Sequence, residues 1–599
     1  MARRQSVRLS QMVLTWGPGA ILESIEGPRI VLRNGLQLPP GMSLDDLQLH
    51  TPEMEALLPR LLGMTGEEPV GIFQIPGTGM VENPLWKTKP FPDWHLCVTH
   101  HILYRGRCPE CEQEGRPWWR RRREAIRFVR ACPAGHLDDV DWDALVHGGN
   151  VPHQPPGHYL WESHGTGLYD IHIRCPRCGR AEQLGKAYGR SWPCSGRFPE
   201  REDPGEPPHR PGCQQEAYIL QRQASNLRVP EIISLFTVPP PFTELHQILE
   251  RIKDAFVPGL VLKGDNLDRS VLEEILEHFV KTGRLKASER DEILRCPDQE
   301  IALAIRKVEK YDPPANLSDL LLQEFHAFLE GASKGIPPVV APRPHSRVLL
   351  EINPALVRRF SCFLVVPVTR LRVVTVQVGY RRSVGPMLEE EGLYPDLVDI
   401  SILDHKGKRW FPGYESMGEG LFITLADNEG WIQSPGGAAA NTWATARSYP
   451  GSYDRNFFRD DRYTELHPLF VAWHTFSHLL IRALAVDSGY SSPSIRERVY
   501  LEEADDRVRG GVLIYTATRG GDGSMGGLLV LVEVFDRVLE RIREMAHFCS
   551  ADPLCQEHQF QPGEVVGAAC HACCMVPETS CEHRNLWLDR NILLETGWL

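Results

Sequence analysis

No Gly-Lys-Ser or Gly-Lys-Thr tripeptide occurs in the 599 residues, and this excludes a P-loop nucleotide site, whose lysine and hydroxyl hold phosphate and magnesium. Basic charge is also short: 66 Lys and Arg stand against 78 Asp and Glu, a net charge of -12. A global positive field of the kind that draws many proteins to nucleic acid is therefore absent, and contact with DNA has to come from a local patch or through a partner. Residues Met1 to Arg8 are charged but lack the apolar stretch of a secretory signal. No run is read as the ~20 apolar residues of a membrane span. No repeat and no low-complexity tract is seen, and a cytoplasmic, membrane-free protein is expected.

Cysteine, by contrast, is plentiful. Eleven of the sixteen fall into three groups with metal-ligand spacing. The first is Cys97, His100, Cys108 and Cys111; the second is Cys175, Cys178, Cys194 and Cys213; the third is Cys555, Cys570, Cys573 and Cys581. A Cys-x2-Cys knuckle places two thiolates at the ~2.3 Å that zinc requires, and a second pair completes a tetrahedron. Four protein donors make a closed, structural site, so three zinc staples and no activated water are expected. Some choices stay open. His95, His101, Cys132 and His136 compete for the first site, and Cys549 rivals Cys555 at the third. Thiols held as metal ligands fit a reducing compartment.

The chain is too long for one core. It reads as an α+β, multidomain protein: an N-terminal segment 1–90, a zinc-binding region 91–230, a helical region and linker 231–345, and a mixed α/β domain 346–599. Apolar residues at three-and-four spacing predict helices over 245–256, 269–282, 299–311 and 317–332, with Asp268 and Ser318 as N-caps. Strands are expected over 363–366, 371–378, 420–425 and 512–517, and helices over 466–486 and 527–548.

Other motifs carry less. His474 and His478 sit one helical turn apart, like the histidines of a zincin, but lack the glutamate that would act as general base. A structural, hydrogen-bonded pair is the expected reading, and a metal-dependent nuclease is the enzymatic alternative. The glycine-rich 520–527 lies where backbone amides can cradle phosphate. Arg120, Arg121, Arg122 and Arg123, beside Trp118 and Trp119, combine charge with stacking surface as single-strand binders do, and are the candidate nucleic-acid contact.

Several phrases along the chain carry a resemblance: SQMVLTWGPGA at 10–20, RFVRACPAGHLDD at 127–139, QRQASN at 221–226, GEGLF at 418–422, HTFSHLL at 474–480, LIYTA at 513–517, GAACHAC at 567–573, ETSCE at 578–582 and NLWLDR at 585–590. In this order they resemble the DrmB family, zinc-containing subunits of the DISARM anti-phage defence system. The last part resembles the C-terminal domain of mitomycin-repair helicases. The resemblance implies a non-catalytic subunit that partners a separate superfamily 2 helicase of DrmA type in binding DNA. It also implies Cys570, Cys573 and Cys581 as ligands. His100 departs from it, standing where a cysteine is expected. A protein-only assembly adaptor is the remaining alternative.

Overall fold

Short strands punctuated by glycine and proline, then longer helices and strands, make up the chain in a computed structural model. It describes residues 7–64, 69–75, 85–115, 123–149, 154, 156–237, 243–264, 266–314, 316–336, 345, 347–382, 384, 397–445, 467–518, 527–561, 566–577, 579–583 and 585–599. The architecture is α+β and multidomain, as expected. Two compact units emerge. One comprises Met1–Leu49, Glu68–Ile233 and Thr375–Tyr414; the other comprises His50–Glu67, Ser234–Val374 and Glu415–Leu599. This division differs from the four consecutive segments expected. The helix Pro52–Leu61 buries Met54, Leu57 and Leu58 in the second unit, and the long strands Phe363–Arg381 and Arg409–Leu425 supply residues to both.

In the first unit, hairpins dominate because strands mostly of three to six residues alternate with tight turns. A six-stranded antiparallel sheet runs in the order Ala181–Gln183, Ile171–Arg174, His158–Ser163, Ile102–Arg105, Trp94–Cys97, Arg123–Ala125. A four-stranded sheet runs Ser191–Cys194, Cys213–Gln221, Phe128–Ala131, Leu137–Asp139. Large rings, among them Trp142, Tyr159 and Trp161, fill the core between them. Metal-ligand residues stand at the ends of these strands, where so small a set of apolar residues leaves loops needing another restraint.

The second unit has larger cores. Helices Glu244–Arg251, Arg269–Lys281, Asp298–Glu309 and Leu317–Lys334 lie where periodicity placed them. Asp268 caps its helix, accepting from the Val271 amide, but the cap of the last is Asn316, not Ser318. A further helix, Ala287–Arg295, was not expected; it is mostly polar and buries only Ile293. Strands Ile495–Ala504 and Arg507–Thr518 pair antiparallel, and Arg507–Thr518 pairs with the end of Arg409–Leu425. One face of these strands packs on the helix Pro468–Asp487, the other on Leu317–Lys334. By length and composition Pro468–Asp487 could cross a membrane, contrary to the expectation that no run is so apolar; 83% of that stretch is buried, as in a core helix.

Glu53 gives a pH test of this unit. Burial raises its carboxyl to about 8, against the lowering effects of its backbone hydrogen bond and of Arg372. The folded state thus keeps a proton that the unfolded chain releases near pH ~4.3. Stability contributed here is full below that value and declines as pH rises toward 8. Glu53→Gln is expected to match the parent near pH 4 and to exceed it by about 1–3 kcal/mol near pH 8. Urea unfolding at both values checks this; an equal offset at the two would refute it.

Candidate metal centres

The first group is brought together as its spacing suggested. Cys97 ends the strand Trp94–Cys97, and Cys108 and Cys111 flank the start of the short helix Pro109–Gln113. His100 Nδ1 lies 3.5, 3.7 and 3.4 Å from the sulfurs of Cys97, Cys108 and Cys111, and the Cys97 and Cys111 sulfurs are 3.8 Å apart. Around a tetrahedral zinc, bond lengths of ~2.3 Å to sulfur and ~2.0 Å to nitrogen give S···S edges of about 3.8 Å and S···N edges of about 3.5 Å. The donor set therefore fits the ion. His100 Nε2 meets Glu114 Oε1 at 3.2 Å, the carboxylate–imidazole support that orients a metal-bound ring. Burial first, then the neighbouring thiols, pushes Cys111 up to about 12; a cation at the centre would reverse that effect.

The second group is regrouped. Cys194 and Cys213 do not meet Cys175 and Cys178; their donor atoms lie within 4.8 Å of those of Cys132 and His136. The four-stranded sheet explains why. Cys194 and Cys213 face each other across an antiparallel pair, and Cys213–Gln221 also pairs with Phe128–Ala131. The Cys132–His136 turn leaves that strand at the same end. Gly196 has φ +73°, and a Cβ there would come 2.5 Å from the Gly212 carbonyl oxygen, so the two ligand-bearing loops approach through glycine. Cys132 Sγ lies 3.2 Å from His136 Nδ1. Backbone amides of Gly196 and Gln215 donate to the sulfurs of Cys194 and Cys213, each at 3.4 Å. The hydrogen bond from Cys132, with that from His136 and against the effect of burial, holds the Cys194 thiol down to about 4.

Cys175 and Cys178 instead form a knuckle after the strand Ile171–Arg174 of the other sheet, where His147 joins them. His147 Nδ1 contacts the Asp143 carbonyl at 2.8 Å, and Nε2 lies 3.4 Å from Cys178 Sγ. Among the described residues this group has three members, with Cys178 exposed, one donor short of the closed four-donor set expected.

The third group gains one member and loses another. Cys549, Cys555, Cys570 and Cys573 come together, so the rivals Cys549 and Cys555 both belong. Sulfur separations are 3.5 Å for Cys549–Cys570, 3.8 Å for Cys555–Cys573 and 3.7 Å for Cys570–Cys573, the edges of a zinc tetrathiolate. Burial acts upward on Cys570, yet the Cys573 amide and the Cys549 thiol bring it down to about 7. Cys581 is elsewhere, 3.3 Å from His474 Nε2. The chain has turned away by then, and the Ser580 carbonyl accepts from the Glu497 amide at 3.1 Å.

Arg120, Arg121 and Arg122 lie outside the described residues, as do Trp118, Trp119 and 520–526; Arg123 opens the strand Arg123–Ala125, and its side chain is not described. Cys132 and His136, expected as rivals at the first site, belong with Cys194 and Cys213, and His147 joins Cys175 and Cys178 without having been a candidate. The Cys-x3-His spacing was the available signal for the former.

Comparison with known families agrees with this chemistry. Residues 8–229 match a family described as a domain of unknown function, DUF8724, and residues 476–574 match the MrfA Zn-binding domain. The latter range contains all four cysteines of the third group and stops short of Cys581. The chain is thus similar to zinc-binding proteins, and zinc is its cofactor. More particularly, it is 26% identical over 552 residues to the DISARM protein DrmB of Bacillus paralicheniformis, covering 85% of this chain and 88% of that protein. The DrmB resemblance read from the sequence phrases is therefore shown. A crystal structure of the DUF1998 helicase MrfA bound to DNA is also similar, at 10% identity and a TM-score of 0.20, over 41% of this chain and 23% of that one; so slight a likeness carries no statement about the fold.

Proposed function

We propose that this chain is a zinc-stapled, non-catalytic subunit of a DISARM-type defence complex that works beside a DrmA-like superfamily 2 helicase on DNA. The observation that carries the reading is the similarity to DrmB along 85% of the chain. The four-donor cysteine clusters support it, because a zinc ion held by four protein atoms has no position left for an activated water. The chain would then act through rigid surfaces that hold a motor and its DNA. A cytoplasmic location is part of the same proposal; none of the sixteen cysteines is paired in a disulfide, which fits reducing conditions. Burial argues against the nuclease alternative, since His474 and His478 are wholly inaccessible and a phosphodiester cannot reach them.

Co-expression with the helicase subunit tests the proposal. A stable complex is expected, with DNA affinity that weakens as salt rises. Changing Arg120, Arg121, Arg122 and Arg123 to Ala should flatten the log–log salt slope by up to about 3–4, roughly 0.9 for each lost phosphate contact. An unchanged slope would favour the protein-only adaptor. A chain that purifies without the helicase and leaves phage resistance intact when deleted would overturn the proposal.

A further inference from the structure

We infer that His474, His478, Glu497 and Cys581 form a further, closed metal centre, of the type that takes zinc. The helix Pro468–Asp487 presents His474 and His478 one turn apart on one face. The strand Ile495–Ala504 supplies Glu497, and the segment after Ser580 supplies Cys581. His474, His478 and Glu497 are 0% exposed and Cys581 is 7% exposed. The site lies within the second unit and shares no ligand with the four-cysteine cluster.

Hydrogen-bond direction makes the case. His474 Nδ1 lies 3.2 Å from the Trp587 carbonyl oxygen, and His478 Nδ1 lies 2.9 Å from the Cys574 carbonyl oxygen. A carbonyl only accepts, so each ring carries its proton on Nδ1, and in neutral imidazole Nε2 then holds a lone pair. Both Nε2 atoms nevertheless converge on one acceptor, Glu497 Oε1, at 2.9 and 3.1 Å, and His474 Nε2 also meets Cys581 Sγ at 3.3 Å. Without a cation, lone pairs would face a carboxylate lone pair. Protonating both rings instead would place two cations against one carboxylate in a site closed to bulk solvent, at high desolvation cost. A divalent ion among the four donors satisfies every group at once. The donor separations fall within a few tenths of an ångström of the roughly 3.3–3.6 Å edges expected for such a tetrahedron.

The surroundings are those of a ligand set held in place. Each histidine has a backbone carbonyl behind it, the support that fixes the tautomer of a metal-bound imidazole. Ser477 Oγ donates to Glu497 Oε2, leaving Oε1 to the centre. The His583 and Asn585 amides donate to Cys581 Sγ at 3.3 Å each, which favours thiolate. Two imidazoles, a carboxylate and a thiolate suit zinc better than magnesium or calcium, which prefer oxygen throughout. The ion would tie helix, strand and C-terminal segment together and, with four protein donors, would hold no reactive water.

Zinc-edge anomalous diffraction on the unaltered full-length protein tests this without a variant. A peak amid these four side chains, separate from one at Cys549, Cys555, Cys570 and Cys573, is the expected result. Elemental analysis should show one zinc per chain fewer in Glu497→Gln and in Cys581→Ser, and no change in Cys296→Ser, a buried cysteine of another core. Refilling the parent with cobalt should give a spectrum whose single-thiolate component disappears in Cys581→Ser. Absence of a peak at these residues, or folded Glu497→Gln and Cys581→Ser proteins with undiminished zinc, would overturn the assignment.

Discussion

Cys132→Ser is expected to cost the protein one zinc per chain and to unfold the end of the four-stranded sheet, while Cys175→Ser leaves that zinc in place. The size of the effect follows from what holds this sheet end. Cys194 and Cys213 open toward solvent-rich loops, and few apolar residues surround them beyond Cys132 and Ala217. Zinc bound to structural thiolate sites contributes ~10–16 kcal/mol near neutral pH, as much as a whole domain's usual ~5–15 kcal/mol of stability. Serine is a poor zinc ligand, so most of that contribution is lost. Hydrogen exchange should show strands Ser191–Cys194 and Cys213–Gln221 losing protection in Cys132→Ser, with Ile171–Arg174 retaining it. Chelation should mimic the variant, and mild acid should too, because thiolates and imidazole must be deprotonated to bind the ion. If Cys175→Ser, not Cys132→Ser, strips the metal from Cys194, the grouping argued from this sheet is wrong.

That contrast also marks where the sequence stops being readable. Each knuckle was visible, because Cys-x2-Cys and Cys-x3-His are local and their geometry follows from a single turn. Which knuckles share an ion is a long-range matter decided by strand pairing. The first group closes through a hairpin and a short helix within fifteen residues, Cys97 to Cys111, so spacing alone located it. Cys194 meets Cys132 only because Phe128–Ala131 pairs with Cys213–Gln221, which no spacing encodes. Cys581 misled in the opposite way. It follows Cys573 by a distance ordinary for a ligand, yet its partners are two histidines about a hundred positions earlier and a strand glutamate. In the HTFSH motif both imidazoles face Glu497 of another element, which stands in a ligand position and not in that of a zincin's general base.

Helices with strong apolar periodicity were the most legible part, since one buried stripe is enough to define them. Ala287–Arg295 was missed because only Ile293 is buried on it. The strand Phe363–Arg381 was read as two short strands. Pro367, Thr369 and Arg370 interrupt its apolar run, and within the second part Arg372 is accommodated by Glu415 at 2.9 Å and by Thr237 at 3.0 Å.

Arg498→Met is expected to destabilise the second unit by about 3–5 kcal/mol, the usual result of stripping one partner from a buried ion pair. Arg498 donates to both oxygens of Glu324 at 3.0 and 3.1 Å, to Glu582 at 2.7 Å and to the Ser234 carbonyl at 2.6 Å. Glu324 is 0% exposed, and without the guanidinium its main remaining neighbour is the Tyr500 hydroxyl at 3.0 Å. Burial already raises its carboxyl above the usual range against the lowering effect of Arg498, and without the guanidinium it would lie higher still above the ~4.3 of the unfolded chain. A folded-state value raised in this way makes the deficit small near pH 4 and progressively larger as pH rises through the folded value. Adding Glu324→Leu to Arg498→Met should restore most of the loss, since apolar groups of similar size often replace a buried pair at little cost. Successive strand residues point to opposite faces, so Arg498 serves the Leu317–Lys334 side while its neighbour Glu497 serves the Pro468–Asp487 side. Arg498→Met should accordingly lower the unfolding midpoint without changing zinc content, whereas Glu497→Gln should lower zinc content. Zinc loss in a folded Arg498→Met protein would show that the two faces of this strand do not act independently.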